Sequence, residues 1–250
     1  MRKGHIVIGI VFVWLMTNLS GVRALTGAEI LRKVDENVKY NTIIYTGKME
    51  IFINDDEAPR VKIMKVHGIG VEKAFVEFIN PEDKNTRYLK IGKKMWIYDG
   101  EEENVFLISG HMLKQGIMGS DVSYEDALET DALYTKYDIE VVGTETLDGR
   151  ACTVIELTAK VKEVSYDKRK MWVDSERFLA VKEEKYAKSG KLLKVSRVLE
   201  ARQIGDRYFP VKSEVSDKLR KGSKTVFTMQ EVRLDAPVSE KLFTMQNLQR

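Results

Sequence analysis

The feature that most constrains the fold is a long series of short alternating segments separated by tight turns. In the first segment, Met49, Ile51 and Ile53 alternate with Lys48 and Glu50, which is the period of a half-buried strand. Strands are predicted near residues 45–53, 60–67, 71–79, 85–91, 94–99, 104–109, 137–145, 150–162, 166–175, 178–187, 191–203, 207–218 and 223–234. A spacing of roughly ten residues indicates an antiparallel meander, sandwich or open barrel. No composition break divides the series, so we expect one domain.

The predicted strands have one apolar face. Phe209, Val211 and Val215 alternate with Lys212 and Glu214, so one side of the sheet is apolar and the other faces water. An apolar face of this size requires a cover. The sequence therefore predicts a long sheet curled around a few helices.

Three segments are candidates for that cover. Thr26 followed by Glu29 is a capping-box pair and predicts a helix at the start of the series. Ser123 with Asp126 predicts a second capped helix within the interruption at 110–135. The run Ser239–Leu248 predicts a short helix near the C-terminus.

The N-terminal residues 1–24 have the pattern of an export signal. Arg2 and Lys3 precede an uncharged run from Ile6 to Met16, and Val22 and Ala24 suit the −3 and −1 positions of a cleavage site. Eleven helical residues span about 16 Å, whereas a bilayer core needs ~30 Å. We expect cleavage after Ala24 and export of residues 25–250 to the periplasm. The alternative is an uncleaved anchor extending through Leu19. No cysteine lies near this run, so no lipid-modified N-terminus is expected.

The net charge of +3 belongs to this leader. Three of the 41 basic residues, Arg2, Lys3 and Arg23, precede residue 25, so 38 remain against 38 acidic residues. Lysine clusters such as 90–94 and 218–224 fall in predicted turns among acidic neighbours. Nucleic-acid binding requires a continuous basic surface, so no nucleic-acid partner is expected. The single cysteine, Cys152, excludes an internal disulfide framework.

The sequence predicts no catalytic centre, metal site or cofactor. It lacks the Gly-x-Ser-x-Gly, P-loop, Gly-x-Gly-x-x-Gly and His-Glu-x-x-His motifs. His67 and His111 lie outside any recognisable triad, and Cys152 lies in an alternating strand that predicts a buried, inert thiol. Asp121 and Asp126 are a conceivable glycosidase pair. Their position at a predicted helix start favours a capping role instead.

Large apolar side chains are concentrated between residues 87 and 118. Arg87, Trp96 and Tyr98 lie in the densest part, which continues into flexible or aliphatic residues at Met112, Leu113, Ile117 and Met118. Such a set forms either ordinary core or the lining of a cavity for apolar ligands, to which methionine adapts well.

The same region resembles the outer-membrane lipoprotein-sorting family, which comprises LolA-like periplasmic carriers. The similar motifs are Arg87-Tyr88-Leu89-Lys90, Lys94-Met95-Trp96-Ile97-Tyr98, Ile108-Ser109-Gly110 and Met118-Gly119-Ser120-Asp121 with Asp126. Weaker similarities lie in Gly149-Arg150-Ala151-Cys152, Lys170-Met171-Trp172-Val173-Asp174, Gly190-Lys191 and Phe243-Thr244 with Leu248. The resemblance covers nearly all of 26–250. One departure is Asp99-Gly100, where the family commonly has a proline.

The resemblance implies a mainly β, unclosed antiparallel LolA/LolB-like barrel of about eleven strands, with helices as a lid over an apolar cavity. It implies a monomeric carrier that binds acyl chains of lipoproteins or lipids and passes them from an inner-membrane donor to an outer-membrane acceptor. Arg87 matches the family's signature arginine. Lipid contact is predicted for Arg87, Trp96, Tyr98, Met112, Ile117 and Met118, and a lid role for Gly119, Ser120, Asp121 and Asp126. The alternative is an envelope sensor or scaffold of the same fold that binds a protein partner, including as an accessory to an RND-type transporter.

Overall fold

The computed structural model describes residues 24–54 and 58–250. The predicted export signal at 1–24 therefore lies almost entirely outside the described residues. The described chain begins with helix α1 (Gly27–Val38), which has the predicted capping box between Thr26 and Glu29. Ile30, Leu31 and Val34 form its buried side. No helix within the described part of the chain is both long and apolar enough to cross a membrane.

All the strands belong to one antiparallel sheet. In chain order they are β1 (Thr42–Phe52), β2 (Arg60–Ile69), β3 (Lys73–Phe78), β4 (Arg87–Ile91), β5 (Lys94–Asp99), β6 (Asn104–Leu107), β7 (Tyr137–Leu147), β8 (Arg150–Ala159), β9 (Lys168–Asp174), β10 (Ala180–Tyr186), β11 (Leu192–Ile204), β12 (Arg207–Asp217) and β13 (Lys224–Leu234). Each predicted strand segment corresponds to one of them. The figure of about eleven strands, which the resemblance implied, is wrong: the described residues form thirteen.

The order of the strands shows that the sheet is not closed. It runs β6-β5-β4-β3-β2-β1-β13-β12-β11-β10-β9-β8-β7, so β1 and β13 pair in the middle and β6 and β7 form the two edges. The unclosed antiparallel sheet that the family resemblance implied is thus confirmed.

This order explains where the cover lies. Strands β6 and β7 are consecutive in sequence but lie at opposite edges, so the chain between them has to cross one whole face of the sheet. We call residues 108–136, which make this crossing, the lid segment. It contains 3₁₀ helices Gly110–Lys114 and Ile117–Gly119, helix α2 (Tyr124–Leu128) and helix α3 (Leu133–Lys136). The lid segment and α1 cover the same face of the sheet, which we call the inner face.

The outer face is covered in part by the C-terminal segment. A 3₁₀ helix (Glu240–Leu242) and helix α4 (Met245–Leu248) follow β13, and Phe243 and Leu248 pack against Phe75 and Leu89. The predicted helical run at Ser239–Leu248 is therefore present in two short pieces, and it lies on the side of the sheet opposite the lid segment.

Candidate functional site

An apolar cavity of about 400 Å³ lies between the inner face and the lid segment. Strands β1 to β5 and β12 to β13 form its wall, and Ile117, Val122 and Ala127 close it from the lid side. The wall residues are Tyr45, Met49, Met64, Val66, Ala74, Val76, Phe78, Tyr88, Lys90, Met95, Ser213, Val215 and Phe227. The wall is thus almost entirely aliphatic, aromatic or methionine.

The strand alternation determines which residues face the cavity. In β4, Tyr88 and Lys90 face inward, and their neighbours across the strand pairing include Val76 in β3 and Met95 in β5. In β1, Gly47 lies between the inward positions Tyr45 and Met49. A Cβ atom at Gly47 would lie 3.0 Å from Met64 Cγ and 3.0 Å from Phe227 Cζ, so the missing side chain makes room for these two.

Few polar side chains line the cavity, and two of them, Tyr88 and Lys90, are bonded to the lid segment. The Tyr88 hydroxyl donates to Met118 Sδ at 3.0 Å and lies 3.3 Å from the Tyr124 hydroxyl. Burial raises the pKa of both tyrosines, so they stay neutral. Lys90 Nζ donates to the Ala127 carbonyl at 2.7 Å. Burial lowers the pKa of this lysine.

The first part of the lid segment, residues 110–118, meets the sheet mainly through apolar contacts. Met112, Leu113, Ile117 and Met118 pack against the buried cluster around the cavity. None of the described salt bridges involves these residues. We call residues 110–118 the gate, because separating them from the sheet breaks few polar bonds.

Asp121 fixes the next part of the lid segment, because its side chain bonds residues at the turn between β12 and β13. Its carboxylate accepts hydrogen bonds from Ser223 Oγ and Thr225 Oγ1, and its own N–H donates to Thr225 Oγ1 at 2.9 Å. Arg220 donates to the carbonyls of Gly119 and Ser120. Asp121 therefore ties the lid segment to the sheet, and Ser123, not Asp121, caps the helix.

The backbone conformation at position 119 explains why this residue is a glycine. Its φ is +78°, in the left-handed region, and a Cβ atom there would lie 2.9 Å from Arg60 Nη2. A side chain at this position would be strained and crowded. Ser120 is buried, and its hydroxyl bonds the backbone of Val122. Gly119 and Ser120 thus shape the lid segment rather than face the cavity.

A second tie comes from Asp126 in α2. Its carboxylate accepts from Lys185 in β10, Lys194 in β11 and the Tyr166 hydroxyl, and it also forms the capping box with Ser123. Burial opposes the ionisation of Asp126, but Lys185 and Lys194 outweigh it and hold the carboxyl pKa well below its usual range. The predicted capping role of Asp126 is present, and the bridge to the two lysines is an addition.

Beside Asp126, a buried arginine extends the ionic cluster. Arg169, which is 2% exposed, contacts Glu129 of the lid segment and Glu183 of β10. Its guanidinium lies 5.2 Å from the centre of the Tyr137 ring and 5.3 Å from that of Tyr166. The lid segment after residue 120 is therefore held by charge, whereas the gate is not.

The structure brings only part of the predicted lipid-binding set to the cavity. Ile117 lines it, and Met112 and Met118 pack against its surrounding cluster. Arg87, Trp96 and Tyr98 do not line it: they lie on the outer face. Adjacent residues of a strand face opposite sides, and Tyr88 and Met95 take the inward positions instead.

Arg87 has a different set of contacts on that outer face. Its Nη1 donates to the Leu248 carbonyl at 2.9 Å, and its guanidinium lies 5.2 Å from the centre of the Tyr98 ring. Trp96 and Tyr98 pack against the cluster of Phe243 and Leu248. The three residues thus hold the C-terminal segment on the sheet.

The residues considered for catalysis are dispersed. Cys152 is fully buried and burial raises its thiol pKa, while His67 lies in β2 with a pKa lowered by burial. His111 is exposed in the gate. The Asp121 carboxylate accepts hydrogen bonds from Ser223 and Thr225 and pairs with Arg220. Within residues 24–54 and 58–250, no group of three or more His, Cys, Asp or Glu side chains is arranged to hold a metal ion.

Comparisons with known proteins define the class of this chain. A family model described as "Uncharacterized protein" matches residues 70–250, more than half of the chain, and the chain belongs to that family. No curated protein matches the chain.

Solved structures share its fold over almost their whole length. A DUF1329 family protein from Desulfovibrio piger has a TM-score of 0.79 at 25% identity, covering 89% of this chain and 97% of its own. A domain from Vibrio parahaemolyticus, described as an outer membrane lipoprotein-sorting protein, has 0.78 at 22%, covering 90% and 98%. A LolA superfamily protein from Nitrosomonas europaea has 0.72 at 24%, covering 89% and 99%. The resemblance to lipoprotein-sorting proteins is confirmed in the fold.

Proposed function

We propose that this protein is a periplasmic carrier that binds an acyl chain in the cavity under its lid segment and passes it between membrane partners. The observation that carries the proposal is the cavity itself, an apolar space of about 400 Å³. Its fold is shared with a domain described as an outer membrane lipoprotein-sorting protein and with a LolA superfamily protein. The pattern of an export signal at 1–24 supports a site of action outside the cytoplasm.

The size of the cavity indicates how much cargo the closed form accommodates. At ~30 Å³ per water-sized group, 400 Å³ holds on the order of a dozen methylene groups. Each methylene removed from water contributes about 0.8 kcal/mol, so one such chain gains on the order of 10 kcal/mol. One acyl chain therefore fits the closed cavity. A cargo with several chains requires the gate to move away from the sheet.

A carrier also has to release its cargo, and the lid segment has the asymmetry that release requires. The gate meets the sheet through apolar contacts and the Tyr88–Met118 hydrogen bond, and two backbone hydrogen bonds join its residues 115 and 117 to Tyr124 and Val122. Asp121 and Asp126, in contrast, hold the following residues to the sheet through charged groups. We propose that the gate opens while α2 stays in place. Because release of a bare chain into water is costly, opening takes place against an inner-membrane donor or an outer-membrane acceptor.

The proposal is tested by filling the cavity. Val66 faces the cavity and is 5% exposed, and the next residue, Lys65, is exposed on the other face of β2. In Val66→Trp the indole occupies the space meant for the chain, so affinity for a fluorescent C16 fatty acid should fall at least tenfold. Lys65→Trp adds the same ring outside and should bind like the wild type.

Both variants are checked for cooperative unfolding before the titration. Equal affinity of a folded Val66→Trp variant and the wild type would contradict the assignment of the cavity. No uptake by the wild-type protein, tested as purified and after delipidation, would contradict the carrier function.

A further inference from the structure

Among the described residues, Lys90 is the single charged side chain in the wall of the cavity. It lies on the inner face of β4, between Ala74 of β3 and Met95 of β5. An ammonium group in an otherwise apolar wall is costly to desolvate. The position therefore needs either a counter-ion within the protein or one supplied by a ligand.

The described residues supply no such counter-ion. Lys62 is paired with Asp83, and Lys185 and Lys194 are paired with Asp126. Lys90, in contrast, has no carboxylate within ion-pair distance among the described residues, and Glu72 attracts it only from farther away. Its Nζ makes one hydrogen bond, to the Ala127 carbonyl. An ammonium has three N–H donors, so two remain for another acceptor.

The position of Lys90 along its strand places the charge at one end of the cavity. The next residue, Ile91, pairs with Lys73 and Lys94, and these three residues are the ends of their strands. The rest of the wall, from Val76 through Phe78 and Met49, is apolar. A ligand that matches this arrangement has one charged end at the strand ends and an uncharged tail.

We infer that the cavity selects single-chain amphiphiles with an anionic head, a carboxylate or a phosphate, which bonds to the free N–H donors of Lys90. This inference rests on the proposed function, because it names the class of ligand for the same cavity. A charge-assisted hydrogen bond in a half-buried site is stronger than a neutral one. An anionic head should therefore increase affinity about tenfold over an uncharged head on the same chain.

The test compares heads on one C16 chain in a competition titration against a fluorescent fatty acid. Hexadecanoate and hexadecyl phosphate carry the anionic head, and methyl hexadecanoate is the uncharged reference. The wild-type protein should bind at least one anion about tenfold more tightly than the ester, and the better anion identifies the source of the head. Inorganic phosphate alone should not compete.

Variants assign the preference to Lys90. Lys90→Met should lose the preference for the anion, so that its affinities for the anion and the ester become equal. Lys90→Arg should keep the preference. Lys94→Met, which removes an exposed lysine from the adjacent strand end, should behave as the wild type.

Four results would overturn the inference. Equal affinity of the wild type for anion and ester would do so and would leave the carrier function standing. An equal loss of affinity for the anion and the ester in Lys90→Met would show that Lys90 only holds α2 in place through its hydrogen bond to Ala127. A preference that survives in Lys90→Met would place the anion site elsewhere. If no C16 compound binds, the proposed function fails, and this inference fails with it.

Discussion

The inner face of the sheet consists of two halves that are covered in different ways. Under α1, strands β7 to β9 form a packed core in which Ile155, Leu157 and Val173 are fully buried. Under the gate and α2, strands β1 to β5 leave a cavity of about 400 Å³. One twelve-residue helix matches the first surface, whereas the second is covered by short pieces that cannot fill the space between them.

The side chains follow the same division. The packed half uses mostly isoleucine, leucine and valine, which have few rotamers and pack into a fixed core. The cavity half uses Met49, Met64 and Met95, whose flexible thioethers adapt to different neighbours. The comparison indicates that one half provides stability and the other provides space for a ligand. The ionic cluster around Asp126 lies where the two halves meet.

The largest expected effect comes from breaking that ionic cluster. Asp126→Asn leaves Lys194, which is 9% exposed, without its carboxylate, so the free energy of unfolding should fall by about 3–5 kcal/mol at pH 7. Asp131→Asn in the same lid segment removes a more exposed carboxylate and should change stability little. Urea unfolding of both variants measures the difference. Equal stability of the two variants would contradict the role of Asp126.

The contribution of Asp126 should also depend on pH. Its pKa is lower in the folded protein than in the unfolded chain, where an aspartate titrates at about 4. As the pH falls below this value, the unfolded chain takes up the proton first, so the stabilisation is lost. The stability difference between wild type and Asp126→Asn should be full at pH 7 and smaller at pH 3. A difference that grows on acidification would contradict this account.

Truncating a buried side chain should lower the free energy of unfolding by different amounts in the two halves, and this is the next largest expected effect. Leu31→Ala removes a side chain that is 1% exposed in the packed half and should cost about 2–5 kcal/mol of unfolding free energy. Met95→Ala enlarges an existing cavity, so its cost should lie at the low end of that range. Leu31→Ala should leave fatty-acid affinity unchanged where the protein remains folded. Loss of affinity in Leu31→Ala alone would reverse the assignment of the two halves.

Two glycines offer a smaller, matched contrast. A Cβ atom at Gly27 would lie 2.6 Å from Ile139 Cγ2 and 3.1 Å from its carbonyl oxygen, so Gly27→Ala should cost about 1–3 kcal/mol through overpacking. At Gly47 the nearest atoms are the flexible Met64 and Phe227 side chains, which can move into the cavity. Gly47→Ala should therefore cost less than Gly27→Ala. Thermal unfolding under identical conditions ranks the two, and the opposite order would contradict the contrast.

The local features of this fold were predictable from the sequence. The capping boxes at Thr26 and Ser123 need only residues three positions apart, and both are present. The strand segments follow from alternation and turn residues. Asp126 was predicted as a cap, but its partners Lys185 and Lys194 are 59 and 68 residues away and no local pattern links them.

The main point that sequence patterns did not determine was which side chains of each strand point to the inner face. In the stretch from Arg87 to Tyr98 both sides of the strands are apolar, because the lid segment covers one side and the C-terminal segment the other. The motif residues Arg87, Trp96 and Tyr98 share one side, and the cavity residues Tyr88, Lys90 and Met95 share the other. Which side is inner depends on the crossing of residues 108–136, a property of the strand order.

The central claim, that an acyl chain lies between the lid segment and strands β1 to β5, is tested most directly by photo-crosslinking. The purified protein is loaded with a C16 fatty acid that carries a diazirine near the end of its tail, and the crosslinked peptides are identified by mass spectrometry. We expect crosslinks to cavity residues such as Met64, Val76 and Ile117, and their loss in Val66→Trp. Crosslinks confined to the outer face around Trp96 and Phe243, or unchanged in Val66→Trp, would contradict the claim.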